Sequence, residues 1–175
     1  MRTFTALELP DDFIADIAAL SRRLKATLEG RFLQTETYHL TLAFLGDIAE
    51  VDANTVIEAM EAACAGAGSI SLRSDGLGKF GRASDATLWL GIAPAPELTQ
   101  LAERVREELA ARNIPFDEKP FKPHITLARR VRIPKTDLSA LAFPQESEAS
   151  IVTLFKSTLA RDGATYKPLH TVELA

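Results

Sequence analysis

Residues 38–42 read YHLTL and residues 123–127 read PHITL, so one word, histidine-x-threonine-leucine, occurs twice in a chain that holds three histidines. In a β-strand, side chains at i and i+2 share a face, about 6.5–7 Å apart along the chain. His39 and Thr41 therefore point one way while Leu40 and Leu42 point the other, and His124 and Thr126 repeat this against Ile125 and Leu127. Each word offers an imidazole and a hydroxyl on one face and two aliphatic anchors on the other. Laid side by side, two such strands bring two imidazoles and two hydroxyls together.

Working outward, hydrophobic periodicity predicts a strand over Arg2–Leu9. A helix opens at Pro10-Asp11, carries Ile17, Leu20, Leu24 and Leu28 on one face and stops at Gly30. The first word lies in a strand Tyr38–Leu45 ended by Gly46 and Asp47, followed by a helix Val51–Ala65. Strands are predicted over Ile70–Phe80 and Thr87–Ile92, joined by the polar turn GRASD. The clearest helix is Pro94–Arg112, with Leu98, Leu101, Val105 and Leu109 inward and Glu108 placed to pair with Arg112. The second word opens a strand His124–Val131, and Ser150–Leu174 reads as a hairpin turning at Arg161-Asp162-Gly163. This order implies an α+β domain whose sheets carry helices on one face. Each word follows a helix that ends in glycine or asparagine, Gly30 before His39 and Asn113 before His124, so two related lobes are expected. With 175 residues and no interdomain linker, residues 1–175 are read as one domain.

Composition narrows the function. Hydrophobic residues make up 46% and charged residues 25%, in the globular range, which excludes a disordered chain. No uninterrupted apolar stretch of about 18 residues is present, so no membrane span is expected. The N-terminal apolar run is too short for a signal peptide, and the lone cysteine, Cys64, falls in a helical apolar stripe. A soluble cytoplasmic protein is the expectation. Net charge is −4, which disfavours a general nucleic-acid binder, yet Lys119–Lys135 holds six basic residues and no acidic one. Such a run suits a small anion or a phosphate chain; alternatively, it is a solvated strand edge guarded by lysine and arginine.

Two imidazoles with two hydroxyls suit phosphodiester chemistry. Imidazole titrates near pH ~6.5, so one ring can act as a neutral base while the other acts as an acid. Threonine hydroxyls and nearby cations can hold non-bridging oxygens as charge builds up. No metal is required, and the usual metal-ligand spacings are absent from the sequence. A single HxT is ordinary in a strand, where threonine is favoured and histidine packs in cores. Two copies, each followed by leucine and one inside the basic run, favour a shared reaction centre. His170 has no partner motif and is read as structural. Phe80 and Trp89 are available to stack on a base, or simply to pack in the core.

At this point the chain resembles the bacterial and archaeal RNA 2′,3′-cyclic phosphodiesterases, historically called 2′-5′ RNA ligases, within the two-histidine phosphoesterase superfamily. The resemblance runs through RTFTALELPDD, YHLTLAFLGD, FGRASDATLWLG, FKPHITLAR and LFKSTLARDGATYKPL. It implies a bilobal, pseudo-two-fold fold of two antiparallel sheets with helices outside and the active cleft between the lobes. It implies metal-independent, cofactor-free opening of a 2′,3′-cyclic phosphate at an RNA end to a 2′-phosphate, with possible reversal as 2′-5′ ligation. His39 would be the proton donor and His124 the proton acceptor, labels that the reverse reaction exchanges; Thr41 and Thr126 would bind phosphate oxygens. The partner would be RNA with a cyclic phosphate end, or a related nucleotide, met by a monomer. The family also places an arginine after the second word, matching Arg129. Strict alternation instead puts Arg130 on the face of His124, and only a bulge or strand end after Leu127 reconciles the two. The segment before the first word, RFLQTETY, is plainer than the aromatic, basic one common in the family. Two other readings stay open: a phosphodiesterase for small cyclic nucleotides or 2′-5′ linkages, and a non-catalytic RNA-binding module.

Overall fold

The two words fall in different sheets. A computed structural model describes residues 1–134, 138 and 141–175, and Lys135, the last residue of the basic run, lies outside them. Its elements are β1 (Arg2–Leu7), α1 (Asp11–Lys25), β2 (Glu29–Phe32), β3 (Leu40–Asp47), α2 (Ala53–Cys64), β4 (Ile70–Leu72) and β5 (Ser74–Arg82). They continue with β6 (Asp85–Ile92), α3 (Pro96–Ala111), β7 (His124–Arg132), β8 (Ser147–Ala149), β9 (Ile151–Ala160) and β10 (Gly163–Glu173). One antiparallel sheet has the order β10-β9-β1-β3 and the other β2-β7-β6-β5, with β4 and β8 forming a small third pair. The α+β class expected from the element order is therefore observed. The chain weaves between sheets, so β3, carrying the first word, is an edge strand, whereas β7 is flanked by β2 and β6. No helix of the described residues is long and apolar enough to cross a membrane.

Hydrophobic periodicity explains the core. Helix α1 buries Phe13, Ile17, Leu20 and Leu24, and α3 buries Leu98, Leu101, Val105 and Leu109. Acidic residues open α1 and basic residues close it, the arrangement the helix dipole favours. The aliphatic anchors of both words, Leu40, Leu42, Ile125 and Leu127, are fully buried in the same core as these helix faces. Burying four such side chains contributes on the order of 1.5–3 kcal/mol each, so both words are firmly held on their apolar side.

Some boundaries move. The first helix ends at Lys25 rather than at Gly30, and Gly30 sits in β2, a strand the helical pattern concealed. A Cβ at Gly30 would lie 2.7 Å from Val131 Cγ2, so glycine here lets β2 close on β7. The asparagine stop does hold. Asn113 has φ 58° just beyond α3, and the amides of Asn113 and Ile114 donate to Ala110 O and Leu109 O, a Schellman closure. The strand expected over Ile70–Phe80 breaks at Arg73, because β4 leaves to pair with β8 while β5 stays with β6. The C-terminal hairpin turns at Arg161-Asp162, as expected.

Both motif strands carry a bulge at the same letter. On β3, Ala6 pairs with Thr41 and Thr5 with Ala43, which leaves Leu42 over. On β7, Trp89 pairs with Thr126 and Leu88 with Ala128, which leaves Leu127 over. The shared word thus extends to HLTLA and HITLA, and in each copy the consecutive leucine and alanine are both buried. A bulge frees backbone groups from the ladder. From β1 the buried hydroxyls of Thr5 and Thr3 donate to Ala43 O and Gly46 O of β3, each at 3.4 Å.

Candidate active site

His39 stands one residue before β3, after a single 3₁₀ turn over Thr35–Thr37. Its Nδ1 donates to Thr37 O at 2.7 Å. His124 opens β7, and its Nδ1 donates to Lys122 O at 2.6 Å. Each imidazole is therefore anchored on the carbonyl two residues earlier. Because a carbonyl only accepts, Nδ1 carries the proton in both neutral rings and Nε2 presents the lone pair.

The surroundings of the two rings differ. His39 stacks on Phe4 with centroids 4.6 Å apart and meets Tyr166 edge-on at 5.2 Å. His124 meets Phe80 edge-on at 5.2 Å and Trp89 at 5.7 Å, and the Lys122 ammonium lies 4.7 Å from the Trp89 ring. Burial pushes the His39 pKa down to about 4. The Thr37 carbonyl opposes that shift, while the nearby charges of His124 and Arg129 add to it. The unliganded ring is thus neutral near pH 7, and its coupling to His124 and Arg129 brings the two words into one electrostatic site.

Thr41 and Thr126 are half-buried on the histidine side of their strands. Neither hydroxyl has a hydrogen-bond partner among the described residues, whereas those of Thr3, Thr5, Thr37 and Thr153 are all engaged. Both motif threonines are thus open to a ligand on the histidine side of their strands.

The bulge decides the orientation of the arginines. With Leu127 and Ala128 both turned inward, parity reverses and Arg129 returns to the face of His124 and Thr126. Its charge is felt at both His39 and Tyr166. Arg130 takes φ 55° and donates Nη1 to Asp85 Oδ2 at 3.0 Å, away from that face. Arg31 on β2 is the register partner of Arg129.

A family model for the 2′-5′ RNA ligase superfamily matches residues 9–162. The chain belongs to that superfamily. Among relatives of this superfamily member is an RNA 2′,3′-cyclic phosphodiesterase of Thermotoga maritima, 31% identical over 97% of this chain and 94% of its own length. Another, from Geobacillus stearothermophilus, is 35% identical over 73% of this chain, though the match spans 41% of that longer protein. The crystal structure of Escherichia coli LigT complexed with 3′-AMP superposes with a TM-score of 0.80 at 28% identity, covering 99% of this chain and 97% of that one.

Several residues of this superfamily member's site escaped the sequence. Phe4 and Tyr166 reach His39 from β1 and β10, strands far from the first word in the chain. Strand pairing alone brings them there. Arg31 escaped because it follows Gly30, read as a helix stop, in a segment assigned to no element. His170, read as structural, bonds Glu61 on α2 at 2.8 Å. Cys64 is buried, and burial pushes its thiol up to about 11, so it stays protonated. Among the described residues, no group of three or more His, Cys, Asp or Glu side chains is placed to hold a metal ion.

Proposed function

We propose that residues 1–175 form one domain of two interleaved lobes, with one motif each, that acts as a cytoplasmic monomer. It opens 2′,3′-cyclic phosphates at RNA ends to 2′-phosphates without a metal ion. The observation that carries this reading is the matched anchoring of two imidazoles, both holding Nε2 for chemistry. Similarity to the Thermotoga maritima RNA 2′,3′-cyclic phosphodiesterase supports the choice of substrate.

Water attacks phosphorus in line with the P–O3′ bond. His124 Nε2 takes its proton, and the Lys122 carbonyl on Nδ1 steadies the imidazolium that forms. The P–O3′ bond breaks, and protonated His39 Nε2 gives its proton to O3′, leaving a 2′-phosphate and a 3′-hydroxyl. The hydroxyls of Thr41 and Thr126 donate to the non-bridging oxygens, and Arg129 balances their growing charge. The donor role needs a charged His39, which the unliganded site disfavours. The phosphate is itself an anion, and its arrival offsets the positive neighbours and raises the proton affinity of the ring. With a 5′-hydroxyl in place of water, the same pair in the same roles joins a cyclic end through a 2′-5′ bond; cleavage of that bond by the neighbouring 3′-hydroxyl, the reverse step, exchanges the roles.

The test is an oligoribonucleotide with a 2′,3′-cyclic phosphate, incubated with the protein in EDTA. A 2′-phosphate end is expected; its absence overturns the reading. Parallel reactions with a cyclic mononucleotide and a 2′-5′ dinucleotide rank the alternative substrates. If the protein were a non-catalytic RNA-binding module, it would turn over none of the three.

One observation favours exchanged roles. A neutral His39 is already a base, and burial holds it neutral. A cyclic substrate with sulfur at the bridging 3′ position separates the readings, because a thiolate leaves without protonation. If His39 is the acid, His39→Ala recovers on the sulfur substrate and His124→Ala does not. The opposite pattern exchanges the two labels.

A further inference from the structure

Arg106 joins the two halves of the site without touching either histidine. It lies on α3 one turn beyond the buried Ala102, at the rim of the helix's apolar stripe. Its Nε donates to Leu42 O at 3.3 Å, and its Nη1 donates to Lys119 O at 2.7 Å. The guanidinium also lies 5.8 Å from the ring of Phe116 and 5.9 Å from that of Phe121.

Both carbonyls have meaning in the site. Leu42 is the bulged residue of β3, next to Thr41. Since β3 is an edge strand, its outward carbonyls have no strand to pair with. The segment leading to the second word covers that edge instead: Asp117 N donates to Phe44 O at 2.8 Å, and Arg106 takes Leu42 O. Lys119 begins the run that ends at Lys122, whose carbonyl holds His124 Nδ1. On β7 the equivalent carbonyl, Leu127 O, accepts from the backbone amide of Leu33 at 2.9 Å. One bulge is thus held by a neighbouring backbone, and the other by a side chain that also grips the opposite motif's approach loop.

We propose that Arg106 is a positioning residue that sets the spacing of the two histidines and the tautomer of His124, by locking the Phe116–Lys122 loop to the bulge beside Thr41. A fork of fixed donors between two aromatic rings suits this role better than a lysine ammonium. The proposal rests on the phosphodiesterase reading for its kinetic arm and is independent of it for its spectroscopic arm.

The test compares Arg106→Ala, Arg106→Lys and Arg112→Ala. Arg112→Ala is the control, since it removes a pair with Glu108 on the same helix and touches neither word. Misplacement by about 1 Å can cost roughly 10²-fold in rate, so Arg106→Ala should lose about 10–100-fold in kcat with KM within about threefold. Arg106→Lys should recover only part, and the control none of the loss. Two-bond ¹H–¹⁵N imidazole spectra of the protein without substrate should show His124 as the Nδ1–H tautomer in the wild type and as a mixture in Arg106→Ala. If Arg106→Ala folds with wild-type kcat and an unchanged His124 tautomer, the proposal falls. If it fails to fold, Arg106→Lys carries the same comparison, and wild-type kcat with an unmoved tautomer there overturns it as well. A wild-type protein inactive on cyclic phosphate would defeat the functional reading and leave the tautomer comparison standing.

Discussion

The first motif and the second share a five-letter word, a bulge at the fourth letter and a histidine tethered to the carbonyl two residues back. They differ in nearly everything around that frame. His39 is packed by Phe4 and Tyr166 on the rim of an edge strand, in a setting that drives off its proton. His124 opens an interior strand beside Lys122, and the bulge that turns Arg129 to its face lies on that same strand. Duplication of the backbone supplies two equivalent nitrogens, and unequal surroundings set one ring against Phe4 and Tyr166 and the other against Phe80, Trp89 and Lys122.

The comparison breaks most sharply at the histidines. Positioned acid and base steps contribute about 10²–10⁴-fold each. His39→Ala and His124→Ala should each lose that much kcat on a cyclic phosphate oligonucleotide, and the double variant should lose less than the product of the two. A single variant within tenfold of the wild type would show that the halves are not partners. The threonines come next. Removing one oxyanion donor typically costs about 10²–10³-fold, so Thr41→Val and Thr126→Val should fall near or below the lower end of that range. If one hydroxyl proves dispensable, the symmetry of the words is structural at that position only.

A titration sharpens the electrostatic contrast. Followed by NMR, His39 should titrate at about 4 without ligand. Because this folded value lies below the unfolded ~6.5, the unfolded chain binds more protons between the two, and the stability contributed by neutral His39 is lost as pH falls through that window. Saturating inorganic phosphate should move the His39 midpoint upward by supplying the missing counter-charge. A midpoint that stays put or falls would remove the argument that substrate charges the donor.

Much of this was legible in the sequence, and the reasons are local. Period-2 alternation assigned Leu40, Leu42, Ile125 and Leu127 to the core and left His39, Thr41, His124 and Thr126 on the other side. Period-3.6 patterning found α3 almost to the residue. Alternation failed at the bulge, since one extra residue reverses parity while the letters that cause it, leucine and alanine, look like any strand interior. Partners set by tertiary pairing were illegible for a different reason. Nothing near His39 in the chain announces Tyr166, and β2 is four residues long, with a glycine that helix rules read as a stop.

The smallest expected effect separates neighbours. Arg129 and Arg130 are adjacent, both exposed and identical in chemistry, and only the bulge distinguishes them. Arg130 is held by an exposed ion pair with Asp85, a type of contact worth roughly 0–1 kcal/mol. Arg130→Ala should therefore change kcat/KM by less than about threefold and stability by less than about 1 kcal/mol. Arg129→Ala removes a cation on the face of His124 and Thr126 and should weaken kcat/KM far more, with partial recovery in Arg129→Lys, which keeps the charge and loses the planar fork. The two single variants on one substrate preparation suffice. If Arg130→Ala proves the more damaging, strand parity wins over the bulge, and the face assigned to β7 beyond Leu127 must be reversed.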